Sequence, residues 1–429
     1  MARFTHDVIV VGGGAGGLVT TVGCAQLGLK TAVVERARLG GDCLYHGCVP
    51  SKSLLKTAGV YRQAAEFERF GLPSVELPEV RMADVNRRVH GVIEEIAKHD
   101  SKERFERLGA EVFFGMPRFE SPHELTVDGT RISARSIVIA TGSAPRGLPI
   151  RGLEEAGYIT NLDVFDLETL PRELVVIGAG PIGSEMAHAF ARLGSNVTVL
   201  DVAPQMLPRE DADMAAVVQQ RMEADGVTFK LGVKITAVEG SGADRKVHLE
   251  ENGQTVTLPA DQILVAAGRK GNIDDLGLEK AGVAVEKGFI TTNSKLQTSQ
   301  KHILAVGDVN GRYLFTHVAG AEGSVAVRRV ALRVGGVMNY RNVPWVTYTE
   351  PELASIGYNE KTAAQAGVDY HVVRQELSAN DRAHAEGEAE GVAKILLDRK
   401  DRVIGTQIAA LHAGELLLPS IFAVGKGWK

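Results

Sequence analysis

The chain has 429 residues, 44% of them hydrophobic, which is too many for one core and predicts two to four domains. A net charge of −5 excludes the basic footprint that a nucleic-acid partner requires. Three cysteines exclude a disulfide scaffold, and two of them close together suggest a catalytic pair in a reducing compartment, with the cytoplasm as default.

The start, MARFTHDVIVV, lacks the basic end and small-residue cleavage site of a signal peptide. Val8 to Leu29 carries no charge and mimics a membrane span. Its glycines, with Thr and Gln among them, predict a buried strand, turn and helix instead, so no membrane partner is expected. His6 to Val11 reads as an apolar strand, Gly12, Gly14 and Gly17 form GxGxxG, an apolar helix runs to Leu27, and TAVVE is a second strand ending at Glu35. Gly12 makes the tight turn, Gly14 lets a pyrophosphate approach the backbone, Gly17 lets helix and strand pack, and Glu35 accepts from a ribose hydroxyl.

GGDCLYHGCVPSK follows, with four residues between Cys43 and Cys48 and Lys52 one helical turn beyond the second cysteine. Gly40 and Gly41 permit a sharp turn, while Pro50 and Ser51 suit the first turn of a helix through Leu54 and Leu55. Cys48 then sits at a helix N-terminus, where unpaired N–H groups and an inward Lys52 stabilise a thiolate. This is a redox dithiol. Farther on, Val85, Val89, Val92, Ile93 and Ile96 share one helical face, read as core.

SIVIATGSAP and ILVAAGRKGN are apolar strands ending in glycine, as where a chain crosses between nucleotide domains. Between them, ELVVIGAGPIGSEMAHAFARLGSNVTVLD repeats the first unit with Gly178, Gly180, Gly183 and Asp201. In both copies the acidic residue lies 18 positions after the last glycine, which predicts two bound dinucleotides. Asp201 favours a free ribose 2′-hydroxyl, and Val202 to Gln205 offer no arginine for a 2′-phosphate, so NAD(H) is preferred over NADP(H), although Arg209 lies farther along. HILAVGDVNG places Asp308 after an apolar strand, where it is either a ligand contact at a parallel-sheet edge or a turn residue. From Val343 onward the pattern predicts an antiparallel sheet with helices. Cys24 reads as a small buried apolar residue rather than a working thiol, His317 and His412 as hydrogen-bonded structural histidines, and His6 and His384 as lacking companions. No Cys/His group has zinc-site spacing, so no metal is expected.

These motifs together resemble the pyridine nucleotide-disulfide oxidoreductases, the flavoprotein disulfide reductases, and are closest in pattern to dihydrolipoamide dehydrogenase and mercuric reductase. The resemblance runs from His6 to about Glu415 and rests on both GxGxxG units, CxxxxC with Pro50, Ser51 and Lys52, ATG, Glu185, Gly268 with Arg269, and AVGD ending at Asp308. It implies an α/β fold of two Rossmann-like domains plus a C-terminal α+β interface domain. The FAD-binding domain would take residues 1–147 and 270–340, the NAD-binding domain 148–269 and the interface domain 341–429. By resemblance, FAD is held by Gly12, Gly14, Gly17, Glu35, Gly41, Lys52, Gly115, Thr141, Gly142, Asp308 and Thr316, with Gly115 and Thr316 touching it through the backbone. Gly178, Gly180, Gly183, Asp201, Val233 and Gly268 would hold NAD. Lys52 would pair with Glu185, and Cys43, Cys48, Lys52 and Glu185 would be the catalytic set. The family reaction passes hydride from NADH through flavin to the Cys43–Cys48 disulfide, with Cys48 facing flavin and Cys43 attacking the substrate.

Two departures bear on that substrate. Tyr45 and His46 stand where dihydrolipoamide dehydrogenases usually show Asn and Val; they either shape the pocket, with His46 trading protons with Cys43, or form an idle loop pair. The His-Pro…Glu motif of dithiol reductases does not follow His412, so the interface domain is expected to be incomplete. A small disulfide or dithiol is the expected substrate, a mercuric or other metal ion the alternative, and a non-catalytic redox sensor the third reading. A homodimer is expected of the full-length protein.

Overall fold

A computed structural model describes residues 4–429. The chain divides into two compact units, the first being Met1–Pro50, His90–Arg146 and Arg269–Asn339, the second Ser51–Val89, Gly147–Gly268 and Tyr340–Lys429.

In the first unit, β1 (His6–Val11) and β2 (Thr31–Glu35) are apolar enough to be buried on both faces, as strands of a parallel sheet must be. They lie side by side in register, Val8 opposite Thr31, at the centre of a seven-stranded sheet. Thr130–Ile139 pairs with β1 and Ala110–Phe114 with β2, both parallel, and Ile303–Ala305 joins Thr130–Ile139. The connecting α1 (Ala15–Gln26) accounts, with β1, for the uncharged stretch that mimics a membrane span. Among the described residues no helix is long and apolar enough to cross a membrane. After β2 come α2 (Gly41–Tyr45), capped by Gly40 at φ 111°, and α3 (Cys48–Ala65). Of the predicted core stripe, Val85, Val89 and Ile93 are buried in the helix Met82–Ala97, but Ile96, next to its last residue, is 38% exposed.

The second unit repeats the plan. Glu173–Ile177, Asn196–Asp201, Val227–Leu231 and Gln262–Val265 form a four-stranded parallel sheet, with the helix Pro181–Leu193 as first crossover. Lys234–Glu239, Arg245–Glu251 and Gln254–Ala260 add an antiparallel sheet of three strands. Residues from 344 onward build a five-stranded antiparallel sheet in the order Pro344–Thr347, Glu352–Gly357, Val403–Ala410, Val392–Leu397, His371–Glu376. On it Lys394, only 1% exposed, is surrounded by Asp211, Asp213 and Glu360 at 2.9, 2.7 and 2.8 Å, so its burial is matched by charge.

Candidate active site

In each unit a parallel strand, β1 or Glu173–Ile177, ends in a glycine turn built the same way. A Cβ on Gly17 would lie 1.9 Å from the Gly12 carbonyl oxygen, and one on Gly183 1.8 Å from that of Gly178, so only glycine lets each helix cross its strand this closely. Gly14 and Gly180 face open space: the nearest atom to a Cβ on Gly14 is 3.9 Å away, and around Gly180 nothing lies within 4 Å. Neither helix carries a side-chain cap or an acidic residue in its first turn, which leaves N–H groups for a phosphate. Both acidic residues are fixed by two backbone donors. Glu35 accepts from Gly13 and Ala37 at 2.7 and 2.9 Å, and Asp201 from Ala179 and Ala203 at 2.7 and 2.8 Å. These two cradles fit dinucleotides.

Other predicted contacts surround the first cradle. Gly41, at φ 65°, approaches so near that a Cβ would meet Gly14 Cα at 2.7 Å. Gly115 donates to the Glu35 carbonyl, and Thr141 exchanges hydrogen bonds with Asn272, holding Gly142 against the crossing segment. Asp308 lies in a short 3-10 turn, Gly307–Asn310, fastened by the buried Glu322, which accepts from Gly307 and Asn310. Burial raises the Asp308 pKa. Ser143 donates to Asp308 at 2.7 Å, and Arg269 donates to Ser143 at 2.7 Å and to Asp42 at 2.8 Å, a chain from Asp308 to the neighbour of Cys43. Sequence reading missed Asp42, Ser143 and Glu322 because no motif spacing links them. In the second unit, Val233 is buried and donates to the Asp201 carbonyl, and Gly268 sits at φ 94°.

Cys43 is half-buried in α2 and Cys48 is exposed as the first residue of α3. Gly47 allows the close link, since a Cβ there would crowd Asp42 O and Cys43 Cα at 3.0 Å each. The two thiols are hydrogen-bonded, and that bond, with burial, pushes the Cys43 pKa well up. Cys43 therefore keeps its proton when the pair is reduced. The Thr316 hydroxyl stands 3.3 Å from Cys48 Sγ, which brings its side chain to the dithiol. Thr316 also begins the helix Thr316–Val330, whose N-terminus adds partial positive charge beside the sulfurs. Tyr45 is engaged elsewhere: its hydroxyl donates to Leu39 O at 3.1 Å and the Arg38 guanidinium stacks 3.9 Å over its ring, a clasp between α2 and the loop before it.

On the second-unit part of α3, Lys52 pairs with the buried Glu185 at 2.8 Å. The other Glu185 oxygen accepts from Tyr348 N at 3.0 Å, and the Lys52 ammonium lies 4.5 Å over the Tyr348 ring. Sequence reading took Tyr348 only as part of a strand pattern. Of the remaining singled-out residues, Cys24 is fully buried and its pKa is pushed up to about 12. His6 and His384 do have companions, Glu111 at 2.9 Å and the Ser378 carbonyl at 2.7 Å, supplied by tertiary contact or local turn. His317 stacks on Phe315, and His412 starts a short helix in the left-handed region at φ 55°.

Residues 6–323 match a family model described as pyridine nucleotide-disulphide oxidoreductase, and residues 343–429 match that family's dimerisation domain. Dihydrolipoyl dehydrogenase of Bacillus subtilis (strain 168) is 34% identical, the alignment covering 96% of this chain and 90% of that protein. The mitochondrial dihydrolipoyl dehydrogenase of Pisum sativum is 36% identical over 98% of this chain and 85% of its own. Among solved structures, the Cu(II) complex of the HOCl-induced flavoprotein disulfide reductase RclA from Escherichia coli superposes with a TM-score of 0.87 at 26% identity, covering 100% of this chain and 94% of that one. With two cradles, a paired dithiol and matches over nearly its whole length, the chain belongs to the pyridine nucleotide-disulphide oxidoreductases, FAD-dependent enzymes that use NAD(H) and act on sulfur groups.

Proposed function

We propose that this chain exchanges an electron pair between NADH and a small disulfide or dithiol of the dihydrolipoamide kind, with Cys43 and Cys48 as the exchanging sulfurs. The hydrogen-bonded Cys43–Cys48 pair at the start of α3, with Thr316 beside it, carries this reading. Bound FAD, held by the Gly12–Gly17 turn, Glu35 and Asp308, supplies hydride acceptance from NADH and electron delivery to sulfur. Cys43, once its proton is withdrawn, attacks one sulfur of the substrate disulfide and expels the other as a thiolate. Cys48 then attacks Cys43 Sγ, releases the second substrate thiolate and closes the Cys43–Cys48 disulfide. Lys52 and Glu185 keep a fixed cation one turn along the helix from Cys48, which favours the thiolate. The protein acts as a homodimer through residues 343–429, in the cytoplasm, in keeping with its few cysteines.

NADH oxidation measured with lipoamide as acceptor tests this. Cys43→Ser and Cys48→Ser should each lower turnover at least ~100-fold; normal turnover in both would sink the dithiol mechanism. Lys52→Met should slow flavin reduction about tenfold without loss of FAD. A second reading, reduction of a soft metal ion, is favoured by the Cu(II) complex of the structural relative. Faster NADH oxidation with Cu²⁺ or Hg²⁺ than with lipoamide would select it.

A further inference from the structure

We propose that Tyr348 is a positioning residue that fixes the Lys52 ammonium by two separate contacts, one from its backbone and one from its ring. The proposal rests on the reading that Lys52 serves the redox pair. A lysine on a four-carbon stem paired with one carboxylate oxygen still swings with that carboxylate. Here the carboxylate is held at its other end, because Tyr348 N donates to Glu185 Oε1 at 3.0 Å while Lys52 donates to Oε2 at 2.8 Å. The Tyr348 ring then closes the ammonium from another side at 4.5 Å, within the range of a cation–π contact.

Tyr348 is itself held by a ladder on the helix Pro181–Leu193. Glu185, His188 and Arg192 occupy one face, three and four residues apart. They take the 348–350 segment rung by rung: Glu185 accepts from Tyr348 N, His188 Nδ1 accepts from Glu350 N at 3.4 Å, and Arg192 pairs with the Glu350 carboxylate. Behind them, His188 and Arg192 both bond Asp225 at 2.8 Å, so two of the rungs are fixed from the far side. The ladder places an otherwise 41% exposed tyrosine.

The test uses the FAD-loaded enzyme and two readouts: acylation of Lys52 by a water-soluble succinimidyl acetate, quantified by peptide mass spectrometry, and the rate of flavin reduction by NADH in stopped flow. Tyr348→Leu keeps the backbone donor and loses the ring, and should raise Lys52 acylation roughly threefold or more and slow flavin reduction by a similar factor. Tyr348→Phe retains the ring and should restore shielding of Lys52. Phenylalanines of increasing fluorination at 348 keep shape while weakening the ring face, and should raise acylation in steps. Wild-type acylation in Tyr348→Leu, a Tyr348→Phe as reactive as Tyr348→Leu, or a flat fluorination series would overturn the proposal. Wild-type flavin reduction in Lys52→Met would instead defeat the underlying role of Lys52, leaving the acylation results to decide what Tyr348 does.

Discussion

Cys43 and Cys48 differ in a way that follows from their partners. Cys43 is half-buried and its pKa is raised, first by the hydrogen bond with Cys48 and then by burial. Removing Cys48 removes the larger cause, so the Cys43 pKa falls towards its ordinary value and more thiolate is present at any given pH. In the dithiothreitol-reduced enzyme at pH 8, Cys48→Ala should speed iodoacetamide alkylation of Cys43 by about tenfold, the effect of one pKa unit. Slower or equal alkylation would mean that Cys48 does not restrain Cys43. The pair itself was legible from spacing alone, as were the glycines, because each motif is local. The contact of Thr316 with Cys48 and that of Tyr348 with Glu185 were not: the partners stand 268 and 163 residues apart in the chain, and only tertiary folding brings them together.

The helix Pro181–Leu193 shows the same limit at the scale of an element. Its glycine turn and apolar pattern mark it as a crossover, yet nothing local says that His188 and Arg192 point into a buried ionic cluster. Burial lowers the His188 pKa to about 4, outweighing the pull of its bond to Asp225. The ring is therefore neutral, donating from Nε2 to Asp225 and accepting at Nδ1 from Glu350 N. Because the folded value lies below the unfolded one of about 6.5, the unfolded chain takes the proton first as pH falls. The contribution is complete above pH 6.5 and is lost as pH drops towards 4, on the order of 3 kcal/mol. Asp225 works in the same direction at lower pH: burial would raise it, but His188 and Arg192 hold it well below the usual carboxylate range. Urea unfolding at pH 7.5 and pH 5 should show about 2 kcal/mol of this loss, and His188→Gln should be weaker at pH 7.5 with a smaller difference between the two pH values. An unchanged difference would remove His188 from the acid response.

At the scale of the whole molecule, the sequence repeat becomes two units with separate cores, one around β1 and β2 and one around Glu173–Ile177 and Asn196–Asp201. The repeat was legible because strand, glycine turn, helix and acid recur at equal spacing. The grouping of residues 51–89 with 147–268 and 340–429 was not, since it depends on where α3 and the helix Met82–Ala97 pass between units. Separate cores predict separable loading. In each cradle a methyl group on the third glycine would collide with a carbonyl oxygen of its own unit, at 1.9 Å for Gly17 and 1.8 Å for Gly183. The strand or the helix must then shift, and the phosphate-facing N–H groups shift with it. Gly183→Ala should purify with its flavin colour but need at least ~10-fold more NADH for half-maximal rate, because backbone contacts to a pyrophosphate depend on sub-ångström placement. Gly17→Ala should lose FAD on purification while its second unit keeps NADH affinity, read by NADH fluorescence titration. If Gly183→Ala lost flavin as readily as Gly17→Ala, the two cradles would be coupled through the fold, and assigning one cofactor to each would have to be abandoned.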